Sequence, residues 1–543
     1  MHNRRSLAVG FMCILVLGIL PTHSHAQATP PASGEKVLGQ PCNLLHDRVP
    51  LSETDPTAAK PITLTPLLAP EFVPGKTTLD PKIKNRILNL GLPCQENVDV
   101  SGPDDSKTAL ENLQRGFDFY SWLTFIALNS PADGRSIEQS NPDTRTKWES
   151  RNNFMHLLDV MIKDPVPGKK GPKWQNREIP KECVSKYKDK IKNINDMMVI
   201  EMIEETFNEP FKTGALIDQQ GNYALFDILM NKQMFDYIVE NKLYSKTAQM
   251  ENAGLKVDFP SGFNPEKGKI EGGDPGAVMI KVSWKVMESE KEKQKFHTVD
   301  ALVLMPRHDE KVDKSEPPCL RKTLGLVGFH VGHKTVNRRQ WIWTSFEHVD
   351  NVPEDEEIKS GKLKPSYNFY KVNCGGACPV NQTPPHPWGP TYANELKFHD
   401  RSFRSQITRV VPLTDETRDM NKRFQSILEN TVWKNYMLLS TQWPSDFGCS
   451  RRGDPKEKVI PASKQPTDFN KQPDMNCGAT PTFLANSTLE TYSQGQVPLA
   501  SSSCMACHGN AVSHQRRSPS ANPNDPDNFY NQSDFTFMLE KAR

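Results

Sequence analysis

Near its C-terminus the chain reads SSSCMACHGN over residues 501–510, so Cys504 and Cys507 stand two residues apart and His508 follows at once. Cys-x-x-Cys-His is the spacing that attaches a c-type haem. The two thiols form thioethers with the vinyl groups, and the imidazole takes one axial position on the iron. The expected cofactor is one covalent haem c on Cys504, Cys507 and His508, with His508 the proximal ligand. Only 35 residues follow His508, and their middle, QRRSPSANPNDPDNFYNQ, is polar and rich in Pro and Asn. Such a stretch builds little core. The haem therefore needs apolar surface from upstream and is expected within a larger fold, not on a detachable domain.

The second axial position has two downstream candidates, His514 and Met538. His514 is six residues from His508 and reaches across the ring only if the chain turns sharply. Met538, in SDFTFMLEKAR, is the expected distal ligand. The competing reading makes it core, in a docking face with Phe535, Phe537 and Leu539. A ligand from the upstream fold, or none, completes the alternatives. The choice matters because six-coordinate iron favours electron transfer, whereas an open position permits peroxide or substrate chemistry.

A second constellation lies in GFHVGHKTVNRRQWIWTSFEHVDNVP, residues 328–353. It holds His330, His333, Glu347, His348 and Asp350 beside Trp341 and Trp343. A hairpin turn near 335–339 would draw these groups together at one end of two strands. Glu347 or His348 would then act as acid or base, with His330 and His333 as further candidates at a metal or substrate site beside the haem. Histidines three apart face opposite sides of a regular strand, so convergence requires Gly332 to bend the backbone. The alternative is a hydrogen-bonded polar cluster that anchors the sheet, with the tryptophans as core. Arg338 and Arg339 suit haem propionates by their carboxylate-matching forks, or are simply hairpin charges. Trp122, Trp433 and Trp443 read as core.

The elements that must position these residues change character along the chain. Residues 27–105 read as an extended arm rich in Pro, Thr and Lys. Residues 106–260 read as mainly helical, through 106–130, 152–164, 193–208 and 225–245. Within them, the basic, Pro-containing stretch 163–192 reads as a surface excursion. Residues 261–415 read as β-rich: 277–287, 297–306, 323–332 and 340–349 are dense in β-branched and aromatic residues between turns. Residues 416–543 read as helical again, with 417–444 the longest helical pattern, a short helix near 486–494, and the haem segment. The fold class expected is α+β, helices around a central antiparallel sheet with the C-terminal segment packed on it.

At the N-terminus, Arg4 and Arg5 precede an apolar run from Leu7 to Leu20, and Ser24-His25-Ala26 fits a small-x-small cleavage site. Residues 1–26 thus read as a cleaved signal peptide, and the localisation expected is periplasmic. The run is too short for a membrane-spanning helix, and no later segment is long and apolar enough. The net charge of +2 falls to zero without Arg4 and Arg5, which removes the electrostatic case for nucleic acid. Of eleven cysteines, setting aside Cys13, Cys504 and Cys507 leaves eight, enough for four disulfides in an oxidising compartment. Cys374 and Cys378 could close a tight loop, and Cys42 and Cys94 could tie down the arm. A zinc site is the rival, but no second close pair supports it.

Taken together, FDFYSWLTFIALNSP, GALIDQQGNYALFDILMNKQMFDYIVENKLY, AVMIKVSWKVM, the 328–353 block, WKNYMLLSTQWP and the segment around SSCMACHGNA resemble a family of exported bacterial c-type cytochromes. The resemblance runs from about residue 110 to the end, and its most specific part is WIWTSFEHVDN with a C-terminal haem motif. It implies a single-haem periplasmic protein and brings no reaction with it. The function expected is electron transfer with a periplasmic redox protein or small molecule. The alternative is a haem-dependent oxidoreductase whose large domain binds a small substrate or peroxide, an option suggested by a length well beyond that of a simple carrier.

Overall fold

The computed structural model describes residues 42–43, 67, 72–96, 106–161, 171–176, 179–202, 204–207, 209–252, 255–262, 271–305, 319–335, 338–374, 378–389, 395–444, 479–495, 502–516 and 532–542. The signal-peptide reading of residues 1–26 lies outside them, as do Cys449, Cys477 and most of the arm. Residues 39–543 form one compact unit.

Its centre is an open sheet of nine strands among the described residues. They are β1 (Phe154–His156), β2 (Met198–Glu201), β3 (Leu225–Asn231), β4 (Val278–Val286), β5 (Thr298–Leu304), β6 (Cys319–Thr335), β7 (Arg338–His348), β8 (Tyr436–Pro444) and β9 (Ala479–Thr480). The order is β9-β8-β7-β6-β4-β3-β1, all antiparallel. β5 pairs antiparallel with the first part of β6, and β2 joins β5 in parallel. The fold is α+β, as expected, and the four strands expected in the middle of the chain are present.

Four further strands replace expected helix. Residues 154–156, 198–201, 225–231 and 436–444 are β1, β2, β3 and β8. In β3 six of seven residues are buried, on both faces. An apolar run buried on both faces has no period-2 signature, and its Leu and Met content reads as helix. Within 417–444, the helix ends at Ile427 and a short 3-10 turn capped by Thr431 redirects the chain into β8. Residues 486–494 form a run of turns and not a helix. The sheet thus takes strands from all three of the regions 106–260, 261–415 and 416–543.

Helix α1 (Ser106–Asn129) was legible from its spacing and packs on one face of the sheet with α3 (Asp415–Ile427), while α2 (Lys232–Glu240) follows β3. Trp122 stacks on Phe424 at 5.0 Å and Phe125 on Phe346 at 4.2 Å. Ser121 Oγ lies 2.7 Å from Thr344 Oγ1 and 2.6 Å from Thr441 Oγ1, stitching α1 to β7 and β8. Trp122, Trp433 and Trp443 are buried, as expected of core residues. Disulfides join Cys42 to Cys94, Cys183 to Cys319 and Cys374 to Cys378. No helix among the described residues is long and apolar enough to cross a membrane.

Candidate functional site

The opposite face of the sheet carries the C-terminal segment. Helix α4 (Cys504–His508) is a single turn capped by Ser503, whose Oγ accepts from Ala506 N at 3.3 Å. Gln442 of β8 docks it: Oε1 accepts from Met505 N at 2.8 Å, and Nε2 donates to Ser503 Oγ at 3.1 Å and to Pro481 O at 2.7 Å. Composition alone does not mark Gln442, because a segment read as helix gives no reason to aim that amide at residue 505.

Cys504 and Cys507 are not joined to each other or to any other described cysteine. Burial pushes both thiols up, Cys507 to about 12, so neither is a ready thiolate. His508 Nδ1 donates to Phe535 O at 2.8 Å. Asp534 and Phe535 adopt positive φ, 50° and 62°, and this tight turn brings that carbonyl round to the imidazole. Asp534 is clamped in turn, accepting from Phe259 N at 2.7 Å and pairing with the buried Lys334. Nε2 of His508 has no hydrogen-bond partner among the described residues. Burial, opposed only in part by the Phe535 carbonyl, lowers the imidazole pKa to about 4 and keeps it neutral. The ring packs on Trp343 at 4.3 Å and against the edge of Phe537 at 5.2 Å.

Beside His508 is a cavity of about 330 Å³, within the range of small-ligand sites. One wall is apolar: Leu157, Ile228, Met279, Trp343, Phe537 and Met538. The other carries Lys281, His330, Glu209 and Glu490. His330 Nε2 meets Glu490 Oε2 at 3.1 Å. Burial opposes ionisation of Glu490, but His330 and Lys281 outweigh it and hold the carboxyl near pKa 2. Glu209 goes the other way: burial raises it to about 8 despite donation from Thr491 N and Oγ1, each at 2.8 Å. A larger cleft of about 760 Å³ lies elsewhere, bordered by Arg145, Glu149, Arg151, His156 and Asp300, and holds no member of the Cys-x-x-Cys-His motif.

The 328–353 block forms the expected hairpin, with Thr335 opposite Arg338, but its polar groups do not converge. Gly332 stays in regular register opposite Trp343, so strand alternation holds. His330 borders the cavity, whereas His333 faces the other side, bonded to Tyr120 Oη and Pro275 O. Glu347 is buried between Arg409 and Ser487. His348 stacks on Phe296 at 4.0 Å, donates from Nε2 to Lys295 O at 3.0 Å and accepts Asp350 N at 3.1 Å. Every polar atom of Glu347 and His348 is so engaged and His333 is enclosed, an arrangement suited to anchoring the sheet. Arg338 also points away from the cavity, pairing with Glu96 at 3.3 Å over the Phe117 ring; the side chain of Arg339 lies outside the described residues. Met538 is buried and lines the cavity, and His514 Nε2 donates to Glu540 O at 3.0 Å.

Among the described residues, no three His, Cys, Asp or Glu side chains form a metal-holding cluster. A haem asks for less, two thiols and one imidazole from α4, and these residues fit it. The thiols are unpaired, Nδ1 of His508 is satisfied by a carbonyl, Nε2 is open, and an apolar-walled cavity adjoins. Comparison with protein-family models, curated proteins and solved structures finds no match to the chain.

Proposed function

We propose that the protein is a periplasmic mono-haem c-type cytochrome that takes part in electron transfer, with haem c held by Cys504, Cys507 and His508. The observation that carries this reading is the hydrogen bond from His508 Nδ1 to the Phe535 carbonyl, beside a cavity, on a Cys-x-x-Cys-His turn whose thiols are unpaired. A metal-ligating histidine gives its other ring N–H to a fixed acceptor of this kind. When bound, the haem supplies a one-electron couple whose potential depends on axial ligation and burial. The chain does the rest. Gln442 fixes α4 on the sheet, and burial keeps His508 neutral. Trp343, Phe537 and Met538 exclude water from the imidazole.

Three disulfides agree with an oxidising compartment, and the signal-like N-terminus supports export. The partner proposed is a periplasmic redox protein or small molecule. The polar wall of Lys281, His330, Glu209 and Glu490 favours a second reading, a haem-dependent oxidoreductase acting on a small substrate or peroxide. Visible and EPR spectra of the mature protein, with and without cyanide, CO and peroxide, separate the two. A low-spin iron indifferent to added ligand supports the carrier, ready ligand binding supports the enzyme, and a protein with no haem chromophore sinks both.

A further inference from the structure

The side of an iron opposite His508 is either filled by the protein or left open, and the geometry distinguishes the groups that border the cavity. Because His508 Nδ1 donates to Phe535 O, that carbonyl lies on the side of the imidazole away from Nε2. Met538 follows Phe535 by three residues, on the 3-10 turn Phe537–Lys541, and is packed in one apolar cluster with Met505, Trp343 and Leu539. Its side chain is buried in that cluster. A second axial ligand has to come from across the ring.

The sheet supplies one. His330 and His508 are the two imidazoles among the described residues that line the cavity. His508 packs on Trp343 of β7, which lies opposite Gly332 of β6. His330 is two residues back from Gly332, on the same face of that strand, a displacement of about 7 Å along it. Its Nε2 is bonded to Glu490 Oε2, and Glu490 is itself fixed by donation from Asn486 N at 3.0 Å. Nδ1 of His330 has no hydrogen-bond partner among the described residues. An imidazole on a rigid central strand, oriented by a carboxylate at one nitrogen and free at the other, is arranged as metal-ligating histidines are.

We infer that His330 is the second axial ligand of the haem, with Glu490 as its positioning residue. The inference rests on the haem c reading and gives His330, not Met538, the distal role. It also gives the polar wall a purpose that needs no substrate, since Glu490 orients the ligand and strengthens its donation to iron.

The test is made on full-length holoprotein carrying covalent haem. Wild type is expected to be low-spin with two nitrogen ligands and without the sulfur-to-iron charge-transfer band of methionine ligation. His330→Ala should become high-spin and bind CO and cyanide, and imidazole added to the buffer should restore the low-spin spectrum. Met538→Leu should leave the spectrum unchanged. Glu490→Gln should stay low-spin but raise the midpoint potential, because loss of the carboxylate weakens donation to the oxidised iron. A low-spin His330→Ala protein, or loss of the low-spin signal in Met538→Leu, overturns the inference. Should His330→Ala fail to fold, the charge-transfer band of wild type and the Met538→Leu spectrum decide it alone. Covalent haem with methionine ligation refutes the His330 assignment and leaves the haem reading standing, whereas wild type without covalent haem refutes both.

Discussion

Strands β6 and β7 present two different surfaces from alternate residues. On one face Phe329, Val331, Ile342 and Phe346 meet α1 in a close-packed aromatic core. On the other, His330, Gly332 and Trp343 border a cavity roofed by the Cys-x-x-Cys-His turn. The first face spends its residues on packing, with Trp122, Phe125 and Phe346 in mutual ring contact. The second leaves two thiols unpaired, two imidazole nitrogens open and a neutral carboxyl beside an ionised one. Natural cores avoid such loose ends, which gather where a cofactor or ligand completes the site.

The comparison can be broken at either face. The largest effect expected is on the cavity side: Cys504→Ser with Cys507→Ser should abolish covalent haem while the circular dichroism spectrum stays folded, as read by intact mass and pyridine haemochrome. On the core side, Phe125→Ala should cost about 3–5 kcal/mol in urea unfolding without changing the axial ligand signature of whatever protein folds. Glu347→Gln sharpens the assignment of the 328–353 block. It leaves the buried Arg409 with Glu354 as its remaining carboxylate partner and should cost up to about 3 kcal/mol, with an unaltered haem spectrum; a catalytic Glu347 would show the reverse. Gln442→Ala unties α4 from β8 and should cost about 1–3 kcal/mol, lowering the yield of haem-loaded protein more than the melting temperature of what is loaded.

The smallest effect is pH-dependent. The Glu209 carboxyl titrates near 8 in the folded chain against an ordinary 4.5. Between those values the folded state holds a proton that the unfolded state has lost, so stability falls as pH rises through the window. Glu209→Gln removes that slope. Its stability relative to wild type should rise between about pH 5 and about pH 9, measured by thermal melts at the two pH values. A constant difference across that range would contradict the assignment of Glu209 as the group responsible.

How much of this was legible in sequence follows from periodicity. The four middle strands announced themselves through β-branched and aromatic residues between turns, and α1 through its 3.6-residue spacing. β3 and β8 did not, because LFDILMN and YMLLSTQWP are buried almost throughout and carry helix-like composition. Missing β8 also hid Gln442. The Cys-x-x-Cys-His motif was plain, and the need for upstream apolar surface followed from the polar tail behind it. The hairpin in 328–353 was legible, but convergence of its polar groups was not to be had: with Gly332 in register, alternation sends His330 and His333 apart. What no local pattern could give was the partner of each group. Glu490, 160 residues from His330, and Arg409, 62 residues from Glu347, meet them only through the fold.

The central claim is that Cys504 and Cys507 carry haem covalently. Intact mass of the protein purified from the periplasm of a host able to mature c-type cytochromes, followed by peptide mapping, tests it directly. The account predicts the mass of one haem added to the mature chain, localised to the peptide containing Cys504 and Cys507 and lost in the double serine variant. A mature protein of unmodified mass, with both thiols free to alkylate after reduction, would contradict it.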